Sequence, residues 1–161
     1  MNPTNRQLAE RIDSLLALDE RGALVPHGLG GLARSLLIQS SCALKGLRKI
    51  SADIPADLFM LIQAEADQRG ATTDQTCREL YCEGTLMYQR KSEHYDPNEF
   101  MEHWYTRFAQ YTGAPGTIYL EVNAKRAQAV HGIANAMCRV TPSMNTMMIA
   151  AGLWASNGVR L

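Results

Sequence analysis

The sequence lacks two features that would place it among basic nucleic-acid-binding or membrane proteins. Lys+Arg and Asp+Glu number 16 each, so the formal net charge at pH 7 is zero. A general basic field that attracts nucleic acid is therefore missing, and any such contact would need a local basic patch. The most apolar stretch, 29–47, is interrupted by glycine and charged residues. It falls short of the roughly 20 apolar residues that span a bilayer, so we expect no membrane segment.

Local signatures of enzymes, metal sites and exported proteins are also missing. No nucleophile–base set and no glycine-rich phosphate loop has a recognised spacing, so we expect neither an enzyme nor a bound cofactor. The four cysteines and four histidines do not follow zinc-ligand spacing, which predicts no metal site. The N-terminal stretch lacks the basic start and apolar core of a signal peptide. We therefore expect a cytoplasmic protein with reduced cysteines.

What the sequence does contain is a set of amphipathic helices. Apolar residues recur at helical spacing over 4–19, and again over about 32–46 after a glycine-rich turn. Residues 1–46 are therefore predicted to form a helical hairpin. Because the hairpin adds apolar surface beyond what the rest of the fold needs, it is a candidate surface for a protein partner or for self-association.

Two further stretches alternate between apolar and polar residues, as a half-buried strand does. They cover 48–54 and 117–122, and each precedes two segments with helical spacing. Thr73 and Thr141 are predicted to cap the second helix of each set. The predicted helices are 56–69 and about 74–90 after the first strand, and 124–138 and a final helix opened by Pro142 after the second strand.

The two strand-helix-helix sets superpose with a shift of 68 residues, which brings Gly84 onto Gly152 and Thr73 onto Thr141. A strand in one such unit has no partner, so we expect the two copies to pair their strands antiparallel and to pack their four helices together. An aromatic-rich helix, opened by Asp96 and Pro97 and running to about Tyr111, is predicted to pack across that core. The predicted fold class is mainly α (α+β). Its parts are the hairpin 1–46, a first unit 47–91, a linker helix within 92–115 and a second unit 116–161.

The first unit resembles the ribbon-helix-helix family of the Arc and MetJ repressors. The resemblance is carried by the stretch Lys-Ile-Ser-Ala-Asp-Ile-Pro at 49–55, with Gly70 and Thr73 at the family's usual spacing. Two chains normally supply the two units of that fold, so the resemblance implies an intramolecular pseudo-dimer here, as in some DNA-binding proteins of conjugative plasmids. It implies a regulator of transcription, either a repressor or an accessory protein of a plasmid or phage, whose partner is double-stranded DNA.

The resemblance also implies where DNA would be contacted. In the family the ribbon enters the major groove, outward strand side chains read base edges, and the N-terminus of each second helix holds a phosphate. By position, the implied DNA-binding residues are Arg48, Lys49, Ser51, Asp53, Thr73, Thr117, Tyr119, Glu121, Thr141 and Ser143.

Two acidic residues on this face leave a second interpretation open. Asp53 and Glu121 occupy positions where the family commonly carries basic or amide side chains. A carboxylate can accept a hydrogen bond from cytosine, but nearby phosphates repel it. The alternative is a protein-binding inhibitor or adaptor from a phage or plasmid that reuses the fold without DNA binding. The sequence also leaves open whether the chain forms a homo-oligomer.

Overall fold

A computed structural model describes residues 3–20, 33, 36, 37, 40 and 43–158. Over these residues the protein is mainly helical, with one small two-stranded antiparallel sheet, as predicted. The turn and most of the second helix of the predicted N-terminal hairpin lie outside the described residues. The elements in chain order are α1 Pro3–Glu20, β1 Leu47–Ile54, α2 Ala56–Arg69, α3 Thr73–Ser92, α4 Pro97–Phe108, β2 Gly116–Asn123, α5 Ala124–Ala136 and α6 Thr141–Ser156.

The chain divides into two compact units, and the division runs across both strands. Unit 1 comprises Met1–Lys49 with Glu121–Ala124. Within it, the Lys45 ammonium donates to the Asp13 carboxylate at 2.5 Å and ties the segment before β1 to α1. Most described side chains of α1 are exposed or half-buried, and Ala9 is buried.

Unit 2 comprises Ile50–Leu120 with Lys125–Leu161 and contains the main core. Its inner strand side chains are buried, because alternate residues of a strand point to one face. Ile50, Ala52 and Ile54 of β1 and Leu120 of β2 are buried there. The alternation predicted from the sequence is confirmed.

The register of the two strands follows from one side-chain hydrogen bond in unit 2. The Thr117 hydroxyl donates to the Asp53 carboxylate at 2.7 Å, so these two residues face each other across the sheet. Counting inward along an antiparallel pair places Ser51 opposite Tyr119. Ser51 and Tyr119 are themselves 68 positions apart, which is the predicted offset between the two units.

Helices α3 and α6 form the centre of unit 2 and cross at two glycines. Gly84 of α3 lies against the backbone of Met148, and Gly152 of α6 lies against the backbone of Leu80. The two contacts exchange under the 68-residue shift, because Met148 is the counterpart of Leu80 and Gly152 is the counterpart of Gly84. Contacts that swap in this way are expected where a twofold relation connects the two helices.

The aromatic helix α4 packs against this centre, as predicted. Met101 and Trp104 are buried, and α4 contacts both α3 and α6. The Trp104 ring meets Trp154 of α6 edge-on with centroids 6.3 Å apart. The helix ends at Phe108, three residues before the predicted end.

Two predicted helix ends are confirmed, and two predicted helix caps are wrong. Asp96 caps α4, and Pro97 follows it as the first residue of the helix. Gly70 ends α2 in the left-handed conformation at φ 63°. The predicted caps Thr73 and Thr141 are wrong by one residue, since the capping positions are Thr72 and Val140. Thr72 has extended backbone angles, and its hydroxyl accepts the Gln75 N–H at 3.2 Å.

Candidate nucleic-acid interface

The outer face of the ribbon in unit 2 is accessible. Tyr119 is 62% exposed, Thr117 is exposed, and Ser51 and Asp53 are half-buried. All four stand on the face opposite the buried apolar residues. A groove-reading role needs this face open, and the exposure of Tyr119 and Thr117 meets that requirement on the β2 side.

The same strands continue into unit 1 with three further predicted contact residues. Arg48, Lys49 and Glu121 are all exposed there. The register that pairs Asp53 with Thr117 places Lys49 opposite Glu121. On the outer face of this end, one cation, Lys49, therefore stands opposite one carboxylate, Glu121, while Arg48, the neighbouring strand residue, lies on the other face.

Two buried polar residues of α6 hold the backbone of β1 from behind. Asn145 donates through its side-chain amide to the Ser51 carbonyl at 2.8 Å, and the Thr146 hydroxyl lies 3.0 Å from the Asp53 carbonyl. Their relative exposures are 1% and 0%, so these bonds are shielded from water. The two hydrogen bonds thus hold the backbone of Ser51 and Asp53, whose side chains lie on the outer face.

Sequence reasoning missed Asn145 and Thr146. The signal that could have found them is their position inside an otherwise apolar helix. Every residue from Met144 to Trp154 is buried. A polar side chain on a helix that is buried all round must find a partner, and the unpaired carbonyls of a sheet edge are the nearest ones.

The predicted phosphate sites at the two helix N-termini differ in charge. The first turn of α3, next to Thr73, contains Asp74, whose carboxylate opposes an anion. The first turn of α6 contains no acidic residue and includes Thr141 and Ser143. Pro142 has no N–H, so this turn offers fewer backbone donors than an ordinary helix start. The α6 end remains the more favourable of the two for an anion.

Thr141 has a side-chain partner within the protein. Its hydroxyl oxygen lies 3.0 Å from Nδ1 of His131, and Nε2 of the same ring lies 3.3 Å from the Asn135 amide nitrogen. If the amide donates to Nε2, the ring proton is on Nδ1 and is donated to Thr141. The Thr141 hydroxyl then keeps its own proton for another acceptor.

The buried thiol of Cys77 and the metal-ligating residue types are further candidates for a site among the described residues. Burial raises the pKa of Cys77 to about 12, so this thiol stays protonated and unreactive at neutral pH. Over the described ranges no cluster of three or more His, Cys, Asp or Glu side chains is arranged to hold a metal ion. None of the helices in this part of the chain combines the length and apolarity that a bilayer crossing requires.

Comparison with protein-family models, curated proteins and solved structures finds no match to this chain. What the fold defines is a class: a mainly helical protein with a single two-stranded antiparallel ribbon among its described residues. Function has to be inferred from the ribbon and the helices behind it.

Proposed function

We propose that the chain is a DNA-binding regulator of the ribbon-helix-helix type, with the unit β1-α2-α3 and the unit β2-α5-α6 forming an intramolecular pseudo-dimer. The observation that carries the proposal is the ribbon: two antiparallel strands with a buried inner face and an accessible outer face, in a register centred on Ser51 and Tyr119. A two-stranded ribbon of this kind fits the major groove of B-form DNA.

The helical packing supports the same arrangement. The reciprocal contacts of Gly84 with Met148 and of Gly152 with Leu80 relate α3 to α6 by the shift that relates β1 to β2. The same 68-residue shift thus describes the facing strand residues and the helix contacts, which supports the pairing of two equivalent units.

In this proposal the predicted residues take three roles. Lys49 donates to phosphate or to guanine at one end of the ribbon, and Arg48 beside it donates to phosphate. Ser51, Asp53, Thr117, Tyr119 and Glu121 meet base edges. Thr141 and Ser143 lie at the favourable phosphate site, whereas Thr73 lies at the site that Asp74 weakens.

Titration of labelled duplex at several salt concentrations tests the proposal. The probes are the DNA upstream of the protein's own coding region and a random duplex of equal length. We expect binding to both at low salt, with affinity falling as salt rises because phosphate contacts release counterions. The double variant Arg48→Ala with Lys49→Ala should weaken binding and lower the salt slope.

The matched control is Arg90→Ala, which removes an exposed cation from the last turn of α3, outside both strands. Its affinity should equal that of the unmodified protein. Absence of binding to either duplex at low salt overturns the proposal.

A protein-binding inhibitor or adaptor is the second candidate, and the carboxylates Asp53 and Glu121 on the outer face favour it. The double variant Asp53→Asn with Glu121→Gln separates the two candidates. If DNA is the partner, removing both charges relieves repulsion by phosphate and tightens binding to random duplex. If a basic protein surface is the partner, the same change weakens that complex.

A further inference from the structure

The outer face of the ribbon is chemically asymmetric at two of the three residue pairs that the 68-residue shift relates. Under the 68-residue shift, Ser51 corresponds to Tyr119, and Asp53 corresponds to Glu121. In a ribbon formed by two identical chains each such pair would be one residue type. Here the two halves of the reading face share a carboxylate, Asp53 or Glu121, but differ elsewhere, because Ser51 corresponds to Tyr119 and Lys49 corresponds to Thr117.

One half contains a carboxylate that is fixed in place. The Thr117 hydroxyl donates to Oδ1 of Asp53 at 2.7 Å, which holds the carboxylate against β2. An ionised carboxylate only accepts hydrogen bonds, and Asp53 keeps free lone pairs beside the one that Thr117 uses. In the major groove the groups that donate are the amino groups of cytosine and adenine, whereas guanine and thymine edges present acceptors.

The backbone that carries this carboxylate is held as well. Asn145 and Thr146 bond the carbonyls of Ser51 and Asp53 from the buried side. Their counterparts on α3 under the 68-residue shift are Cys77 and Arg78, a buried thiol and an exposed cation. At these two positions α3 therefore lacks the amide and the hydroxyl with which α6 holds β1. A reading group held by packing and hydrogen bonds discriminates better than a mobile one.

We propose that the ribbon reads a non-palindromic duplex site and that Asp53, fixed by Thr117, selects a cytosine or adenine amino group on one side of that site. This inference rests on the proposed DNA-binding function and adds the symmetry of the target and the base class at one position. Asp53 is a specificity-determining residue, and Thr117 is a positioning residue.

Selection from a pool of duplexes randomised over about two helical turns tests the inference. The proteins compared are the unmodified chain, Asp53→Asn, Thr117→Val and the control Asp67→Asn, which removes an exposed carboxylate from α2. The unmodified chain should enrich a motif without twofold symmetry that contains a position restricted to cytosine or adenine.

Asp53→Asn should lower the preference at that one position by about fivefold or more, because an amide both donates and accepts. Overall affinity for random duplex should not fall. Thr117→Val keeps the Asp53 carboxylate but removes its hydrogen bond from the Thr117 hydroxyl, so the base preference should broaden at the same position. Asp67→Asn should reproduce the unmodified motif. Circular dichroism on each variant establishes that the fold is retained.

Failure of the inference differs from failure of the proposed function. A palindromic motif, or a motif that Asp53→Asn leaves unchanged, overturns the inference while DNA binding stands. Salt-dependent retention of the pool without any enriched motif overturns it too. If no duplex is retained at low salt, the proposed function fails, and the inference fails with it.

Discussion

Gly84 of α3 and Gly152 of α6 each lie against the backbone of the helix that carries the other. A Cβ atom on Gly84 would fall on the Met148 carbonyl oxygen, and a Cβ atom on Gly152 would fall on the Leu80 carbonyl oxygen. Neither position has room for a side chain while the helices keep their separation. Because each helix has a glycine at the crossing, the two backbones pack directly against each other.

Gly84→Ala should therefore destabilise the protein strongly. The backbone of α6 would have to move, and overpacking of this kind costs about 1–3 kcal/mol, or more where backbone is the obstacle. Urea unfolding followed by circular dichroism gives the free energy of unfolding. Gly152→Ala should show a loss of similar size, because a Cβ there would lie 2.0 Å from the Leu80 carbonyl oxygen, against 1.8 Å between a Cβ on Gly84 and the Met148 carbonyl oxygen.

Gly132→Ala is the matched control. Gly132 lies within α5, is exposed, and a Cβ there would meet no atom within 4 Å. Alanine should stabilise the helix by about 0.5–1 kcal/mol, since it loses less backbone freedom on folding. A loss of stability in Gly132→Ala equal to that in Gly84→Ala would contradict the steric explanation.

The buried hydroxyl of Thr146 gives a second prediction. It lies 3.0 Å from the Asp53 carbonyl and 2.9 Å from the Pro142 carbonyl, and its one proton can satisfy either. Thr146→Val removes the hydroxyl donor at nearly constant side-chain volume and leaves a carbonyl behind β1 without a hydrogen-bond donor. The free energy of unfolding should fall by about 1–3 kcal/mol. The free energy of unfolding in urea measures the loss.

Thr106→Val is the control for that change. The Thr106 hydroxyl donates to the Glu102 carbonyl in the same helical pattern, at 2.9 Å, but on an exposed surface of α4. Water can replace the bond there, so the change should fall within about 0.5 kcal/mol of zero. Equal losses in both variants would show that burial of the bond behind β1 is unimportant.

The start of α2 gives a prediction about acid. Hydrogen bonds, first from the Thr112 N–H and then from the Leu58 N–H and the Thr112 hydroxyl, hold the pKa of Asp57 below its ordinary value of about 3.9. Because the folded-state pKa is the lower one, the contribution is present above about pH 4 and is lost as the pH falls through the folded pKa. Asp57→Ala should reduce stability at pH 7 and make less difference near pH 3.

Unfolding in urea at the two pH values measures this effect. Asp67→Ala on the same helix is the control for loss of an exposed carboxylate. A deficit in Asp57→Ala that stays constant from pH 7 to pH 3 would contradict a role for the ionised side chain.

Asp74→Asn should separate stability from DNA binding. The carboxylate lies in the first turn of α3, where negative charge stabilises a helix by about 0.3–1 kcal/mol. Its removal should lower stability slightly while raising affinity for duplex by up to about fivefold, the usual limit for an exposed charge pair. The gain should shrink as salt rises. A fall in affinity, measured by the same duplex titration, would contradict a phosphate near this helix end.

Much of the local structure could be predicted because its causes are local. The period-two alternation of the strands, Gly70 at the end of α2 and Asp96 with Pro97 at the start of α4 act through neighbouring residues. The cap of α3 falls at Thr72 rather than at the predicted Thr73, since two adjacent threonines give the same signal. The antiparallel pairing was predictable because a lone strand needs a partner.

The hydrogen bonds from Asn145 and Thr146 to β1 could not be predicted from local sequence patterns. Periodicity identifies an inner face only on a helix that has an outer one, and α6 is buried on every side from Met144 to Trp154. Which carbonyls Asn145 and Thr146 meet depends on elements more than 90 residues away in sequence. The role of both glycines as a crossing point likewise depends on the tertiary partner.

The joining of β1 and β2 within one chain has a consequence for dilution. A ribbon formed by two chains obeys mass action, so its strands separate as the protein concentration falls. Here the connecting segment fixes the effective concentration of one strand near the other. The midpoint for loss of this pairing is therefore independent of protein concentration, and the ribbon persists in a sample diluted far below the level at which separate subunits would part.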